Sequence, residues 1–202
     1  MKKFIVFEGL DKSGKSTQIK KYKSYLEEKG YEVSLYGTWE GCPILQEFKS
    51  LITDKDRDID KYTELFLYKA ARRELFTKCI VPDIEDGKIV LVDRFTDSTL
   101  VYQGALRKIS VPKLWAINNI VTDYEHPDHV FIFDISKETF LKRMNCNLDR
   151  MEAALVDNYE VASNIYRDLG LIREDTHLIK EASIEETYKE VITYSQNHLE
   201  DF

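Results

Sequence analysis

Cysteine is scarce in this sequence, and the positions of its cysteines give no support to two kinds of site. The 202 residues include three cysteines, Cys42, Cys79 and Cys146, with no C-x-x-C pair and no nearby histidine cluster. Neither a disulfide framework nor a zinc site is therefore indicated. A chain without disulfides is typical of a reducing compartment, so we expect a cytoplasmic protein.

Long hydrophobic runs and an excess of positive charge are also missing. The apolar run at residues 4–7 is too short for a signal-peptide core or a membrane span. The net charge is -7, whereas non-specific binding to nucleic acid needs a basic surface. We therefore expect neither a membrane protein nor a nucleic-acid-binding protein, although a local positive pocket could hold a small polyanion.

Short apolar runs rich in valine, isoleucine and phenylalanine alternate with longer amphipathic stretches along the chain. The runs predict strands at about 2–8, 32–37, 88–93, 129–135 and 176–181. The stretches between them predict helices at about 15–29, 43–54, 60–85, 96–107, 111–124, 136–145, 150–169 and 183–198. This alternation predicts an α/β fold in which helices cover both faces of a parallel sheet of about five strands. In such sheets ligands bind outside the carboxyl ends of the strands.

A glycine-rich loop follows the first predicted strand. Residues 9–17 read GLDKSGKST and fit G-x-x-x-x-G-K-[ST] between a strand and a helix. The glycines let successive backbone N–H groups point at phosphate oxygens, and the helix adds the positive end of its dipole. We therefore predict a P-loop NTPase-type sheet whose ATP site is formed by Gly9, Leu10, Asp11, Lys12, Ser13, Gly14, Lys15, Ser16 and Thr17. The guanine-reading motif N-K-x-D does not occur, which disfavours a GTPase.

Four side chains near this loop have the chemistry of phosphoryl transfer. Lys15 would bridge the transferred phosphate, and the Ser16 hydroxyl would bind Mg²⁺. Asp93, at the end of the third predicted strand, would hold Mg²⁺ or its water shell. The guanidinium of the adjacent Arg94 could make a bidentate contact with a second phosphate. The alternative is that Asp93 and Arg94 form only a surface ion pair.

The segment that begins at Asp93 carries a more specific pattern. Residues 93–104 read DRFTDSTLVYQG and match D-R-[YFH]-x-x-S-x-x-x-Y-Q-G, a pattern that resembles the thymidylate kinase family. Residues 4–18 are similar to that family's opening, F-E-G-x-D-x-x-G-K-S-T-Q. The likeness extends to residues 64–72 (ELFLYKAAR), to Pro127-Asp128 and to the lid motif D-R-x-E at residues 149–152.

The resemblance implies a reaction and a set of roles. ATP with Mg²⁺ would phosphorylate dTMP to dTDP for dTTP synthesis, in a homodimer of one nucleoside monophosphate kinase domain (1–202) with a lid at about 142–153. Asp11 would approach the sugar, Arg94 would clamp the 5′-phosphate, and Tyr68 would stack on the base. Arg72 would bond to the base O4. The other acceptor-site residues that it implies are Ser98, Thr99, Gln103 and Tyr102, the last crowding the sugar 2′ position.

The resemblance leaves open which basic residue stabilises the transferred phosphoryl group. Members of the family carry this residue either in the phosphate loop or in the lid. Lys12 resembles the basic residue of the phosphate loop. The predicted lid also contains basic residues, namely Lys142, Arg143 and Arg150. We expect the lid to close and exclude water that would otherwise hydrolyse ATP.

One loop departs from the family pattern. Where the family usually has R-E-P-G-G or F-P-E-R, residues 37–43 read GTWEGCP. The arginine and the proline are absent from their expected places, and Trp39 appears instead. A deoxynucleoside monophosphate kinase of different base specificity is therefore one alternative. A deoxynucleoside kinase fits less well, because Arg94 and Lys12 suit an acceptor that already carries phosphate. A nucleotide-sensing protein without catalysis is disfavoured by the intact Lys15 and Asp93.

Overall fold

Five parallel strands form the central sheet of the protein. The computed structural model describes residues 3–54, 57–144, 148 and 150–199, without the side chain of Arg150. The strands are β1 (Phe4–Gly9), β2 (Val33–Gly37), β3 (Ile89–Asp93), β4 (His129–Phe133) and β5 (Thr176–Ile179). They lie in the order β2-β3-β1-β4-β5, and every neighbouring pair is parallel. The predicted α/β fold with a five-stranded parallel sheet is confirmed.

Helices connect the strands and cover both faces of the sheet. Their bounds are α1 (Lys15–Glu28), α2 (Ile44–Thr53), α3 (Lys61–Leu75), α4 (Val81–Glu85), α5 (Thr96–Thr99), α6 (Val111–Val121), α7 (Lys137–Arg143), α8 (Arg150–Asp157), α9 (Tyr159–Ile172) and α10 (Ile184–His198). No helix in the described part of the chain is long and apolar enough to cross a bilayer.

Two predicted helices contain wider turns of π-helix. The helix predicted at 60–85 runs through α3, a π-helical segment at Phe76–Ile80 and α4. The helix predicted at 96–107 begins as α5 and continues as a π-helical segment at Leu100–Leu106. A hydrophobic pattern at helical spacing does not distinguish the two geometries, and π segments often occur at functional sites.

The single helix predicted at 150–169 is in fact two helices. Asn158 separates α8 from α9 because its backbone leaves the helical region, with φ −120° and ψ 23°. Its side-chain amide donates to the Ala154 carbonyl at 2.9 Å, an oxygen that also accepts from the Asn158 backbone N–H at 3.2 Å. The prediction of one continuous helix was wrong here.

Alternate residues of each strand pack into two separate cores. On β1, Phe4 and Val6 face a core shared with α3 and α9, while Ile5 and Phe7 face α1 and α10. Burying a side chain of this size stabilises the fold by about 1.5–3 kcal/mol. Because both faces are covered, the strands read as continuous apolar runs.

The cysteines that are scattered in sequence lie partly together in space. The sulfur atoms of Cys42 and Cys79 are 3.8 Å apart, and both cysteines are free thiols. Cys146 lies outside the described residues. The loop that contains Cys42 thereby rests on the π-helical segment that follows α3.

Candidate active site

The phosphate loop connects β1 to α1 through backbone geometry that requires glycine. Gly9 has φ 135°, and a Cβ atom there would lie 2.4 Å from the Phe133 carbonyl oxygen. Gly14 has φ 99° and precedes α1 without a side-chain cap, which leaves the N–H groups of the first turn available to a ligand. The loop lines a cavity of about 590 Å³.

Most of the predicted ATP-binding residues line this donor cavity. Gly9 and Leu10 are the exceptions: the Leu10 side chain is buried in the core, and its carbonyl accepts a hydrogen bond from Lys15. The cavity also has walls from α7 and from the loop before α10. The lining residues include Asp11, Lys12, Ser13, Gly14, Lys15, Ser16, Thr17, Gln18, Asp93, Arg94, Arg143 and Ile184.

Lys15 lies inside the loop rather than on its surface. Its side chain is buried, and Nζ donates to the Leu10 carbonyl at 3.0 Å. Burial, followed by the positive charge of Arg94, lowers the pKa of Lys15 to about 8. A bound phosphate would supply the negative charge that this buried ammonium needs.

Ser16, in the first turn of α1, and Asp93, at the carboxyl end of β3, form an oxygen pair. The Ser16 hydroxyl donates to Asp93 Oδ2 at 2.8 Å. Asp93 Oδ1 is buried and has no hydrogen-bond partner among the described residues. A hydroxyl and a carboxylate with a free buried oxygen match the hard oxygen ligands that Mg²⁺ prefers. The two residues therefore fit the metal role that the sequence assigned to them.

Arg94 is held at the centre of the site by three side chains. Nη2 donates to Asp11 Oδ1 at 2.8 Å, and Nη1 donates to the hydroxyls of Ser98 at 3.2 Å and Tyr166 at 3.3 Å. The guanidinium also lies over the Tyr102 ring, 5.2 Å from its centroid. Its backbone has φ 72°, an unfavourable conformation for a residue with a Cβ atom. Arg94 is therefore a partly buried cation held in one position, which disfavours the alternative of a surface ion pair.

Asp11 accepts hydrogen bonds from both Arg94 and Tyr102. The Tyr102 hydroxyl donates to Asp11 Oδ2 at 2.8 Å. Burial raises the pKa of Asp11, but the charges of Arg94 and Lys15 outweigh it and lower that pKa to about 2. The carboxylate is consequently ionised at neutral pH and acts only as an acceptor.

Glu8 is a site residue that the sequence analysis missed. It is fully buried, and its carboxylate accepts from Phe95 N at 2.7 Å, Ser98 N at 3.1 Å, Ser98 Oγ at 2.6 Å and the Tyr166 hydroxyl at 2.9 Å. These bonds fix the chain just after Arg94. The available signal was a single charged residue inside an otherwise apolar strand, which rarely occurs without polar partners.

A second cavity of about 250 Å³ is lined by all eight predicted acceptor residues. It brings together residues from the loop after β2, from α2, α3, α5 and α8, and from the π-helical segment that follows α5. The lining also includes residues for which the sequence predicted no role in this cavity: Thr38, Trp39, Lys49, Thr53 and Met151. The predicted residues in its lining are Asp11, Tyr68, Arg72, Arg94, Ser98, Thr99, Tyr102 and Gln103.

Two features of this acceptor cavity suit a flat ligand with carbonyl oxygens. The Trp39 ring packs on the Tyr68 ring, with centroids 5.2 Å apart and planes inclined by 39°. Arg72 lies over the Phe95 ring, and its buried Nη1 has no hydrogen-bond partner among the described residues. Burial lowers the pKa of Arg72 to about 10. Arg72 Nη1 is therefore a buried donor without an acceptor among the described residues.

The described part of the predicted lid contributes Arg143 to the donor cavity and Met151 to the acceptor cavity. Lys12 Nζ lies 3.8 Å from Glu152 Oε1, and Arg143 Nη1 donates to the Lys12 carbonyl at 2.9 Å. Lys142 is exposed on α7. Asp149 and the side chain of Arg150 lie outside the described residues. The choice between Lys12 and a lid cation therefore stays a prediction.

Known proteins are similar to this chain in sequence and in fold. The family model for thymidylate kinase matches residues 7–191. Thymidylate kinase from Thermosipho africanus is 35% identical over 199 residues, covering 98% of this chain and 99% of its own. Thymidylate kinase from a Thermoanaerobacter species is 40% identical over 173 residues, covering 85% and 84%. The crystal structure of thymidylate kinase from Ehrlichia chaffeensis superposes with a TM-score of 0.79 at 30% identity, covering 94% of this chain and 96% of that one. With the sheet, the phosphate loop and the acceptor cavity in place, this match over nearly the whole length shows that the chain belongs to the thymidylate kinase family.

Proposed function

We propose that this protein transfers the γ-phosphoryl group of ATP to the 5′-phosphate of dTMP, which yields ADP and dTDP. The observation that carries the proposal is that the two cavities share a wall. Asp11 and Arg94 line both the donor cavity and the acceptor cavity. A nucleotide in each cavity would bring its phosphates together beside Arg94, as an in-line transfer requires.

On the donor side, this chain's residues bind and orient the triphosphate. The N–H groups of the loop and Lys15 would hold the phosphates, and Ser16 with Asp93 would hold Mg²⁺. When bound, the ion neutralises charge on the transferring group. Lys12 and Arg150 are the candidates for a further cation there.

On the acceptor side, we propose that Arg94 binds the 5′-phosphate and that the base enters between Tyr68 and Arg72. Asp11 and Ser98 hold the Arg94 fork in one orientation, so little side-chain entropy is lost when phosphate binds. Tyr102 is fixed through its hydroxyl to Asp11 and would lie against the sugar.

The unusual loop at residues 37–43 favours one alternative, a deoxynucleoside monophosphate kinase with different base specificity. Trp39 narrows the acceptor cavity at the Tyr68 face, which could alter the choice of base. The deciding experiment incubates the purified protein with ATP and Mg²⁺ against dTMP, dUMP, dCMP, dGMP, dAMP and thymidine, and counts ADP. We expect dTMP to be the best acceptor and thymidine to be inactive. Nucleotide binding without turnover of any acceptor would instead indicate a sensing protein.

We also propose that the protein is a cytoplasmic homodimer of single-domain subunits that packs through α3 and α6. These helices contact each other and expose Phe66, Trp115 and Ile120, which are 57%, 37% and 65% accessible. Large apolar side chains exposed on neighbouring helices favour association. Light scattering should give twice the mass of the chain, and Phe66→Glu should shift the protein toward monomer. A wild-type monomer would contradict the dimer.

A further inference from the structure

Glu8 on β1 and Tyr166 on α9 contact each other behind the acceptor cavity, and the proposed reaction gives neither of them a role. Their side chains are 0% and 2% exposed, and neither is among the residues that line the two cavities. Buried polar groups need hydrogen-bond partners. The partners of this carboxylate and this hydroxyl lead to Arg94.

The hydrogen bonds between Arg94 and Glu8 have a definite direction. A guanidinium can only donate, so the hydroxyl oxygens of Ser98 and Tyr166 accept from Arg94 Nη1. Each hydroxyl donates its own hydrogen to Glu8 Oε2, at 2.6 Å from Ser98 and 2.9 Å from Tyr166. The two hydroxyls also lie 2.9 Å apart, but a carboxylate is the stronger acceptor. Burial, followed by the charge of Glu8, raises the pKa of Tyr166 well above its usual value, so the phenol keeps its hydrogen.

Glu8 thereby holds Arg94 at both ends. Oε1 accepts from Phe95 N at 2.7 Å and from Ser98 N at 3.1 Å, which fixes the backbone just after Arg94. Oε2 fixes Nη1 at the tip of the side chain through the two hydroxyls. Nη2 donates to Asp11 at 2.8 Å. Nε and the second hydrogen of Nη2 have no acceptor among the described residues, so they are available to an anion in the cavity.

We infer that Tyr166 and Glu8 are positioning residues for the acceptor phosphate: without touching the ligand, they hold Arg94 in the orientation that binds it. This inference rests on the proposed function and deepens it, because it concerns how the site distinguishes a nucleoside monophosphate from the nucleoside. An arginine that is ordered in advance loses little side-chain entropy when phosphate binds. Loss of the Tyr166 hydroxyl should therefore weaken the binding of the phosphate group and leave that of the nucleoside unchanged.

The central test replaces Tyr166 by phenylalanine, which keeps the ring in the core and removes the hydroxyl. Calorimetry without ATP gives Kd for thymidine and for dTMP, and the ratio of the two isolates the contribution of the phosphate. We expect this ratio to fall at least ~5-fold in Tyr166→Phe, while Kd for thymidine stays within about twofold of wild type. The matched control is Tyr159→Phe, on the same helix and in the same core, because the Tyr159 hydroxyl donates to the Ile135 carbonyl. This control should leave the ratio unchanged.

Glu8→Gln tests the direction of the hydrogen bonds at nearly constant size. Because backbone N–H groups only donate, the amide oxygen would face Phe95 N and Ser98 N, and the NH₂ group would face the two hydroxyls. The hydroxyl hydrogens would then lose their acceptor. We expect the ratio to fall further than in Tyr166→Phe, and a wild-type ratio in Glu8→Gln would show that the carboxylate does not act on Arg94. If Glu8→Gln does not fold, Tyr166→Phe decides the inference.

A double-mutant cycle with Arg94→Met separates positioning from packing. Once the guanidinium is absent, Tyr166→Phe should no longer change the ratio. An unchanged ratio in Tyr166→Phe, an equal fall with and without Arg94, or the same fall in Tyr159→Phe would overturn the inference. A wild-type protein that binds thymidine as tightly as dTMP would overturn it as well. A protein that binds dTMP but does not phosphorylate it would refute only the proposed function, while the binding ratio still decides the role of Tyr166.

Discussion

At the scale of single residues, we expect the buried ammonium of Lys15 to contribute to activity and not to stability. Its lowered pKa means that its charged form is less favoured in the folded chain than in the unfolded one. We therefore expect Lys15→Met to melt at the same temperature as the ligand-free wild type or higher at pH 7. Turnover should fall at least ~100-fold, because a charge contact to the transferring phosphate is lost. A large loss of stability with turnover intact would show that Lys15 serves the fold.

The same pKa predicts a pH dependence of nucleotide binding. With a pKa of about 8 in the ligand-free protein, Lys15 loses its proton as pH rises through that value. A neutral amine attracts phosphate less, so ATP should bind progressively more weakly above pH 8. The folded state gains relative stability over the same range, because the unfolded lysine keeps its proton up to a pKa of about 10.4. Calorimetric titration of ATP into wild type and into Lys15→Met from pH 7 to 10 measures this pH dependence. If both proteins show the same inflection, the group that titrates is not Lys15.

Arg94 provides a test of geometry at constant charge. Arg94→Lys retains a cation but loses the fork that Asp11, Ser98 and Tyr166 now hold. We expect kcat/KM for dTMP to fall about 10- to 100-fold, since a lysine cannot make the bidentate contact. Arg73→Lys, at a partly exposed ion pair with Asp123, is the matched control. Equal kinetics for both variants would mean that Arg94 does not contact the acceptor phosphate.

At the scale of elements, the turn from β1 into α1 depends on one close backbone approach. Gly9→Ala would place a methyl group 2.4 Å from the Phe133 carbonyl and at φ 135°. Gly30→Ala has a comparable φ of 91° but nothing within 4 Å, so it isolates the cost of the conformation alone. We expect Gly30→Ala to cost about 1 kcal/mol and Gly9→Ala to cost clearly more. Chemical denaturation of the two variants measures this difference, and equal losses would refute the clash.

The π-helical segment after α5 shows how an element sets the site. Tyr102 and Gln103 both lie in it, and both reach the acceptor cavity. A wider turn changes the angle between successive side chains. An ordinary helix over the same residues would therefore aim these two side chains differently.

At the scale of the whole molecule, the shared wall of the two cavities predicts cooperation between their ligands. An adenosine and a thymidine joined 5′ to 5′ by a chain of phosphates should fill both cavities and bind more tightly than ATP or dTMP alone. Because ligands that bind only the folded state stabilise it, the melting temperature should rise most with this compound. The gain should shrink in Arg94→Lys. A melting temperature no higher than with ATP alone would indicate that the cavities are not occupied together.

The local elements of this protein followed from its sequence. Apolar runs marked all five strands, and G-x-x-x-x-G-K-[ST] marked the loop, because backbone geometry and burial act over a few residues. The pattern at residues 93–104 gave the family resemblance, which the full-length comparisons confirm. The break at Asn158 and the π-helical turns were missed, since they depend on local hydrogen bonds that hydrophobic spacing does not report.

Only the tertiary structure decided how the polar residues pair. Glu8, Tyr166 and Arg94 are far apart in sequence, yet they form one hydrogen-bonded group because β1, β3 and α9 meet there. Trp39 was visible as an oddity of its loop, but its contact with Tyr68 required the packing of that loop on α3. Lys69 looks in the sequence like one more lysine on an amphipathic helix. Its burial against Thr99 and Asn118 arises from the packing of three helices, and that packing is a property of the folded chain as a whole.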